Sequence, residues 1–502
     1  MNEPGDLDPA TATLPDEFFI IRALSEGLVN PAPNRSDENA NASVLPGAAD
    51  RWTVSADGLT YTFHLRENGR WSNGEPVTAN DFLLSYRRLL TPATGASKAS
   101  LFHLVKNARA FATGQISDFS KVGFRAPAAD TFEVTLTRPY PKFLIYASSG
   151  PWIPVNPRVV ERMGRGWTAP KAFVGNGPFT FAEWRPHQHL VVRRNPNYHT
   201  PDAVRLDEIR FIVLDNNDTE ERAYRAGQID VTMTVPFAKI ETYSRDHAEE
   251  FHRTALAETR YLSFNTGRAP LNDPRVRRAL SLVIDRRTIV DHVLRGGQQP
   301  AFRFVPPSLR EPGEHDVAAI PPLSEARTIA RQLLADAGFQ GGNGFPHLEL
   351  TTWTVTPVVE VVQQMWKKEL GIDVSIVKQD AKVHVTAMRE GHYDIGFAPA
   401  IPDVADAANI LEELISNAPG NYPQWSDAEY DALIEQAKVA PDASTRSTLL
   451  QAAEQRLLES SPIAPLYFNA KNWLMSPRIR GWKQDALWTR FYLHVEISDV
   501  KR

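Results

Sequence analysis

Between His347 and Pro399 the chain changes hydrophobic period again and again. "HLELTTWTV", "DVSIVKQ" and "YDIGFAP" read as strands, and "VEVVQQMWKKELG" and "VHVTAMREG" between them read as helices. This β-α-β alternation marks an α/β domain, because helices that join strands of one sheet must pack on its faces. The flanking segments extend it. Upstream lie a strand, "TRYLSFNTG", and a helix, "SEARTIARQLLADAGF", ended by Gly338. Downstream, "SDAEYDALIEQA" opens with Ser426 and Glu429 at capping-box spacing. A helix over 442–459 and a strand "APLYFNAKNWLM" follow.

The first half carries its own elements. In "DGLTYTFHLRENGRWSNG", Leu59, Tyr61, Phe63 and Leu65 alternate with polar residues, the period of a half-buried strand. "PVTANDFLLSYRRLL" begins with Thr78 and Asp81 at capping-box spacing and continues as a helical stripe of Phe82, Leu83, Tyr86, Leu89 and Leu90. Residues 131–136 alternate again, so 26–150 reads as a small mixed α/β unit. From 174, two strands meet at a turn near Pro186, and "VRLDEIRFIVL" is a further strand. "TEERAYRAGQIDVTMTV" reads as a helix followed by a strand.

At 502 residues the chain exceeds one ordinary core, so two or three domains are expected. It has no cysteine, which excludes thiol nucleophiles, disulfides and cysteine-bound metals. A net charge of -5 argues against nucleic acid or an anionic lipid surface as the main partner. No apolar run approaches the ~20 residues of a membrane span. No signal peptide is visible after Met1, so the chain is either cytoplasmic or exported and trimmed.

The arginine-rich stretch "LNDPRVRRALSLVIDRRTIVDHVLRGG" (271–297) needs its own reading. Asn272 or Asp273 caps a helix with Pro274 at its first position. Val276, Ala279, Leu280, Val283 and Ile284 share one buried face, and Arg275, Arg277 and Arg278 fall on the other, solvated side. Asp285 caps a second helix that buries Ile289, Val290, Val293 and Leu294 and ends at Gly296-Gly297. No further basic clusters with exposed aromatics accompany it, so a nucleic-acid grip is not indicated.

This segment, continued through "QQPAFRFVPP", is similar to the signature of the extracytoplasmic peptide-binding proteins of ABC importers, the oligopeptide and dipeptide family. "EPGDLDP", "SEGLV", "YTFHLRENGRWSNGEPVTANDFLLSYRRLL", "VGNGPFTFAEWRPHQHLVVRRNPNYH", "YRAGQIDV", "ARQLLADAGF", "FPHLEL" and "WKKELGIDVSI" resemble its other blocks, in order along almost the whole chain. The oligopeptide branch fits best. The resemblance implies an α/β, periplasmic-binding-protein-like fold of two main lobes with mixed sheets plus an extra α/β lobe. Lobe I would comprise 1–25, 151–257 and 472–502, lobe II 26–150 and lobe III 258–471, with a hinge at the crossovers near 257 and 470. It further implies a monomeric periplasmic protein that closes on a peptide or peptide-like ligand and delivers it to ABC permease subunits. Contact with the membrane would run only through the permease or an anchor absent from this chain. No cofactor, metal or catalysis is implied. Members carry one more strand before the Glu-Pro motif, so a trimmed or edited start is expected.

The ligand site is carried over residue by residue. In "YDIGFAPAIPDVADAANIL", Asp403 stands where the family pairs a carboxylate with the ligand amine. Spacing alone leaves Asp403 and Asp406 both open as a helix cap; the resemblance selects Asp403 for the ligand. Phe397, Ala400 and Ile401 would surround it. Glu258, Tyr261 and Ser263 lie where extended ligand backbone would pair with a protein strand, although an ordinary core strand competes for Tyr261. The departures concern pocket and charge. Ala400 and Ala381 stand where the branch often has tryptophan, and Phe397 and Val355 where it places an arginine and a histidine for the ligand carboxylate. Nearby Lys382, His384 or Arg389 could substitute for these cations, although as helix residues they read rather as solvated. A longer or unusual peptide, or a non-peptide amine, is therefore expected.

Enzymatic alternatives find little footing. H-E-x-x-H, G-x-S-x-G and phosphate-loop motifs are missing from the sequence. His187 and His189 share a strand face without a third ligand at suitable spacing. A hydrolase on this scaffold, a non-peptide binder and a sensor or chaperone-like receptor remain the alternatives.

Overall fold

The computed structural model describes residues 1–33, 44–310, 320–440 and 442–498. The chain forms two units: unit 1 is Met1–His252 with Trp473–Arg502, and unit 2 is Arg253–Asn472. Among the described residues no helix is long and apolar enough to cross a membrane.

Unit 1 contains two main antiparallel sheets. The first is formed by β1 (Ala49–Val54), β2 (Thr60–Leu65), β3 (Phe124–Ala128) and β4 (Thr131–Thr135) in the order β1-β2-β4-β3. In β2 the alternation buries Tyr61, Phe63 and Leu65, as their period requires. Helix α1 (Ala79–Leu90) starts where Asp81 accepts from the Thr78 amide at 2.9 Å. Its buried Tyr86 ring lies 5.3 Å from Phe102, 5.2 Å from Phe124 and 5.1 Å from Trp152. Edge-on aromatic packing of this kind holds helix and sheet together.

The second sheet consists of β5 (Phe179–Arg185), β6 (His189–Arg194) and β7 (Glu208–Ile212). Its hairpin turns with His187 in the left-handed region, φ 60°. Helix α2 (Asn217–Arg225) follows, capped by Asn216. The strand expected after it does not form. Residues 230–235 make only a bridge, Val231 to Met475, because the Glu220 carboxylate accepts from the Met233 (2.9 Å) and Thr234 (3.3 Å) amides that a ladder would need.

Unit 2 is built on a six-stranded sheet. Its strands are β8 (Phe251–Phe264, entering from unit 1), β9 (Gln299–Pro300), β10 (Leu348–Thr352), β11 (Val374–Lys378), β12 (Ile395–Ala400) and β13 (Ile463–Leu474). The order is β9-β13-β8-β12-β10-β11. β10 runs parallel to both β11 and β12, and β8 runs antiparallel to β12. The helices of this unit are α3 (Pro274–Leu282), α4 (Leu323–Asp336), α5 (Pro357–Leu370), α6 (Ala381–Arg389), α7 (Ala407–Leu411), α8 (Ala428–Lys438) and α9 (Ala443–Ser460). α5 and α6 are the crossovers that parallel strands require. Leu262, Val276, Leu280, Leu350, Val362, Trp366 and Phe397 belong to one buried cluster shared by strands and helices.

Three local expectations change. Asp427, not Ser426, caps α8, accepting from the Glu429 and Tyr430 amides, while Ser426 bonds to Ser416. The second helix of the arginine-rich stretch is a short turn, Arg286–Thr288, that continues as a π-helix over Ile289–Leu294. It ends with Arg295 in the left-handed region rather than at the glycines, and leaves Val293 and Leu294 half-buried.

Third, two arginines of this stretch are not solvated. Arg277 is 4% exposed and donates to the carbonyls of Ser461 (3.1 Å), Leu271 (2.8 Å) and Ser460 (2.7 Å). Arg286 is 2% exposed and donates to Pro465 (2.7 Å) and Ile284 (3.2 Å). Burial pushes both guanidinium groups down to about 10. Arg277 satisfies carbonyls in the turns around 271 and 460–461, and Arg286 one in the turn at 284 and one at Pro465 in β13. Arg277→Ala is therefore expected to lower the unfolding free energy by about 2–4 kcal/mol in a denaturant titration. Arg275→Ala, on the exposed side, should leave the midpoint unchanged. Equal effects would contradict the packing described.

Candidate functional site

β10, β11 and β12 are parallel, so Thr352, Lys378 and Ala400 end on the same edge of the unit 2 sheet. Antiparallel β8 passes that edge in the opposite sense, with Thr259 opposite Ala400 and Arg260 opposite Pro399. In open α/β sheets, the carboxyl edge of the strands is where ligands bind, because loops there diverge and leave a crevice. Here that edge gathers Glu258, Arg260, Trp353, Val355, Val383, Ile401 and Asp403.

Arg260 is the centre of a compact group. Its Nε lies 2.5 Å from Glu258 Oε1, and its guanidinium stands 5.3 Å from the Trp353 ring and 6.0 Å from the Phe397 ring. Trp353 and Phe397 stack with centroids 5.4 Å apart and planes 19° from parallel. The second Glu258 oxygen accepts from Asn469 Nδ2 at 2.8 Å. Burial raises the nearby Tyr467 phenol to about 12, with Arg260 opposing and Glu258 reinforcing the shift. Contrary to its reading as a solvated helix residue, His384 is 1% exposed. Its Nε2 donates to the Phe397 carbonyl at 3.0 Å, and its Nδ1 has no partner among the described residues.

The sequence-derived residues divide between the two faces of the sheet. Alternation puts Glu258, Arg260 and Leu262 on one side of β8 and Thr259, Tyr261 and Ser263 on the other. Across the pairing, Phe397 joins the first set, and Ala400 the second. Tyr261 is 1% exposed and packs edge-on against Phe304 at 5.6 Å. Ser263 is buried and shares a 2.7 Å hydrogen bond with the Tyr393 hydroxyl. Along 259–264, β8 lies between β12 and β13. No open edge is left there for strand addition by a ligand, which corrects that expectation for Tyr261 and Ser263. Glu258, Ile401 and Asp403 lie at the carboxyl edge, whereas Phe397 is 1% exposed inside β12 and belongs to the core cluster, which corrects its expected place beside the ligand. Ala400 is fully buried at the strand end.

Two aspartates separate cleanly. Asp406 is 2% exposed, caps α7 and pairs with Arg446 at 2.7 Å. Asp403 is exposed, and its amide donates to Asn409 Oδ1 at 2.7 Å. Sequence reasoning passed over Arg260 and Trp353. Period-2 alternation from Glu258 would have selected Arg260. The approach of Trp353 to it, 93 residues further along the chain, had no local signal.

The model of bacterial extracellular solute-binding proteins, family 5 Middle, matches residues 43–422. The chain belongs to this family. The periplasmic murein peptide-binding protein MppA of Escherichia coli (strain K12) is 32% identical over 489 residues, covering 96% of this chain and 89% of the relative. The probable deoxycholate-binding periplasmic protein YgiS of the same organism is 31% identical over 486 residues, with 96% and 89% covered. The crystal structure of Haemophilus influenzae OppA in complex with RPPGFSPFR superposes with a TM-score of 0.83 at 27% identity, covering 99% of this chain and 97% of that one.

Two outcomes follow from the site. Asp406→Ala removes a cap and the carboxylate paired with buried Arg446, so it should cost about 3–5 kcal/mol of stability by denaturant titration, clearly more than Asp403→Ala at an exposed position. Burial holds His384 below its ordinary 6.5 despite the Phe397 carbonyl, so the unfolded chain takes up its proton first. The His384 contribution is complete above pH 6.5 and is lost as pH falls below it. His384→Gln, which can still donate to the carbonyl, should flatten the stability profile on the acid side of that value.

Proposed function

We propose that this chain is a monomeric periplasmic solute-binding protein that captures a peptide or peptide-like ligand at the carboxyl edge of the unit 2 sheet. It would deliver the ligand to an ABC importer permease. The observation that carries the reading is the fate of the two aspartates. Arg446 pairs with the buried Asp406, whereas Asp403 is exposed at the carboxyl edge, its amide donating to Asn409. An exposed carboxylate there suits the α-amine of a peptide, which it would bind through charge-assisted hydrogen bonds. The family supports the reading, and so do relatives named for peptide binding. Within unit 1, one main sheet falls in 49–135 and the other in 179–212, which supports separate lobes there, 26–150 and 151–257.

A second ligand class has its own observation. Val355, Val383 and Ile401 are 79%, 56% and 51% exposed on the segments leaving this edge. Exposed aliphatic side chains suit an apolar ligand body, and one relative is named as probably binding deoxycholate.

Native mass spectrometry of the purified protein, followed by denaturation and identification of what is released, tests both. Peptides of mixed sequence, lost from Asp403→Ala, are expected. A single non-peptide species retained by Asp403→Ala would replace the peptide reading with the second.

A further inference from the structure

Arg260 is four-fifths buried, with 19% of its side chain exposed, yet its nitrogens are poorly used. Among the described residues, none donates in hydrogen-bonding geometry. Nε meets Glu258 only as an ion-pair contact, and neither Nε nor Glu258 Oε1 gains a hydrogen bond from it. A guanidinium carries five N–H donors in a planar fork. With its Nε beside Glu258, the end-on pair of Nη groups is left without an acceptor. Such a group normally finds carbonyls when it is buried, as Arg277 and Arg286 do in the same unit. Arg260 is instead held by ring faces, Trp353 and Phe397, which attract a cation without using its N–H groups. Asn469 holds Glu258 from behind, which steadies the orientation of the fork.

We infer that Arg260 is the specificity-determining cation of this site, receiving a carboxylate of the ligand end-on through its two Nη groups, with Glu258 as a competing internal counter-ion. The inference rests on the binding function proposed above and names the ligand class: a solute bearing a carboxylate. A peptide supplies one from its C-terminus or from an acidic side chain, and an apolar acid supplies one directly. In all three the planar carboxylate matches the planar fork. Glu258 sets the strength of the attraction. Its negative charge opposes the positive field that the ligand meets, so its loss strengthens binding while loss of Arg260 weakens it.

The test compares acid and neutral forms of the same probe by calorimetry on the full chain. The probes are Ala-Glu-Ala, Ala-Gln-Ala, the C-terminal amides of both, and deoxycholate against its methyl ester. In the unsubstituted protein, one carboxylate should be worth roughly tenfold to a hundredfold in Kd. The amides report the C-terminus, the Glu-to-Gln peptide pair reports the side chain, and the bile-acid pair reports an apolar acid. In Arg260→Gln that ratio should collapse to near one, in Arg260→Lys it should fall only in part, and in Glu258→Gln it should rise severalfold. A general loss of structure cannot produce opposite shifts at two adjacent residues, and unchanged thermal melts confirm folding. If no peptide binds but deoxycholate exceeds its ester in an Arg260-dependent way, the peptide reading fails and this inference stands. If the acid-to-neutral ratio is the same in Arg260→Gln as in the parent for every pair, or if every ratio is one in the parent, the inference is overturned.

Discussion

Parallel strands cannot be joined by hairpins, and the crossovers that join them bring every carboxyl end to one edge of the sheet. In unit 2 this constraint governs β10, β11 and β12, and the remaining features of the site are arranged around it. The antiparallel pairing of β8 with β12 then carries Glu258 and Arg260 to the edge where Trp353, Ile401 and Asp403 emerge. Beyond the Glu258–Arg260 pair and the Asp403–Asn409 turn, the members of this group meet only across the sheet. The sheet collects them from five separate segments, 258–260, 353–355, 383, 397–403 and 469.

Buried charge is handled in two ways. Arg277, Arg286 and Arg446 are spent on structure: the first two satisfy backbone carbonyls near the start of β13 and in the turns beside it, and the third neutralises Asp406. Arg303 is used likewise, on Glu454. Arg260 differs, because aromatic faces and one carboxylate position it without exhausting its donors. A desolvated guanidinium is costly unless its donors are matched, so the two treatments distinguish cations that hold the fold from one poised for a ligand.

Much of the local structure was legible beforehand. Strand β2, helix α1 with its Thr78–Asp81 cap, the Pro274 helix start and the α/β alternation of 347–400 all follow from short-range period and capping chemistry. Where reading failed, a distant group had intervened. Glu220 removed the amides of 233 and 234 from a ladder, and carbonyls of 460–465 drew Arg277 and Arg286 inward. At Tyr261 and Ser263 the neighbouring strands β12 and β13 occupy both edges of β8, a pairing between segments far apart in the chain.

By itself the sequence determined the periods, the caps and, through blocks kept in order along the chain, the family. These depend on residues within a turn or two of one another, where sterics and capping hydrogen bonds act. Tertiary structure alone decided which arginines are buried, which of two aspartates stays exposed, and that a guanidinium from β8 comes to rest against rings from Trp353 and Phe397. Burial and charge pairing depend on what lies across the sheet, and that neighbour is set by strand order and register, which local sequence does not encode.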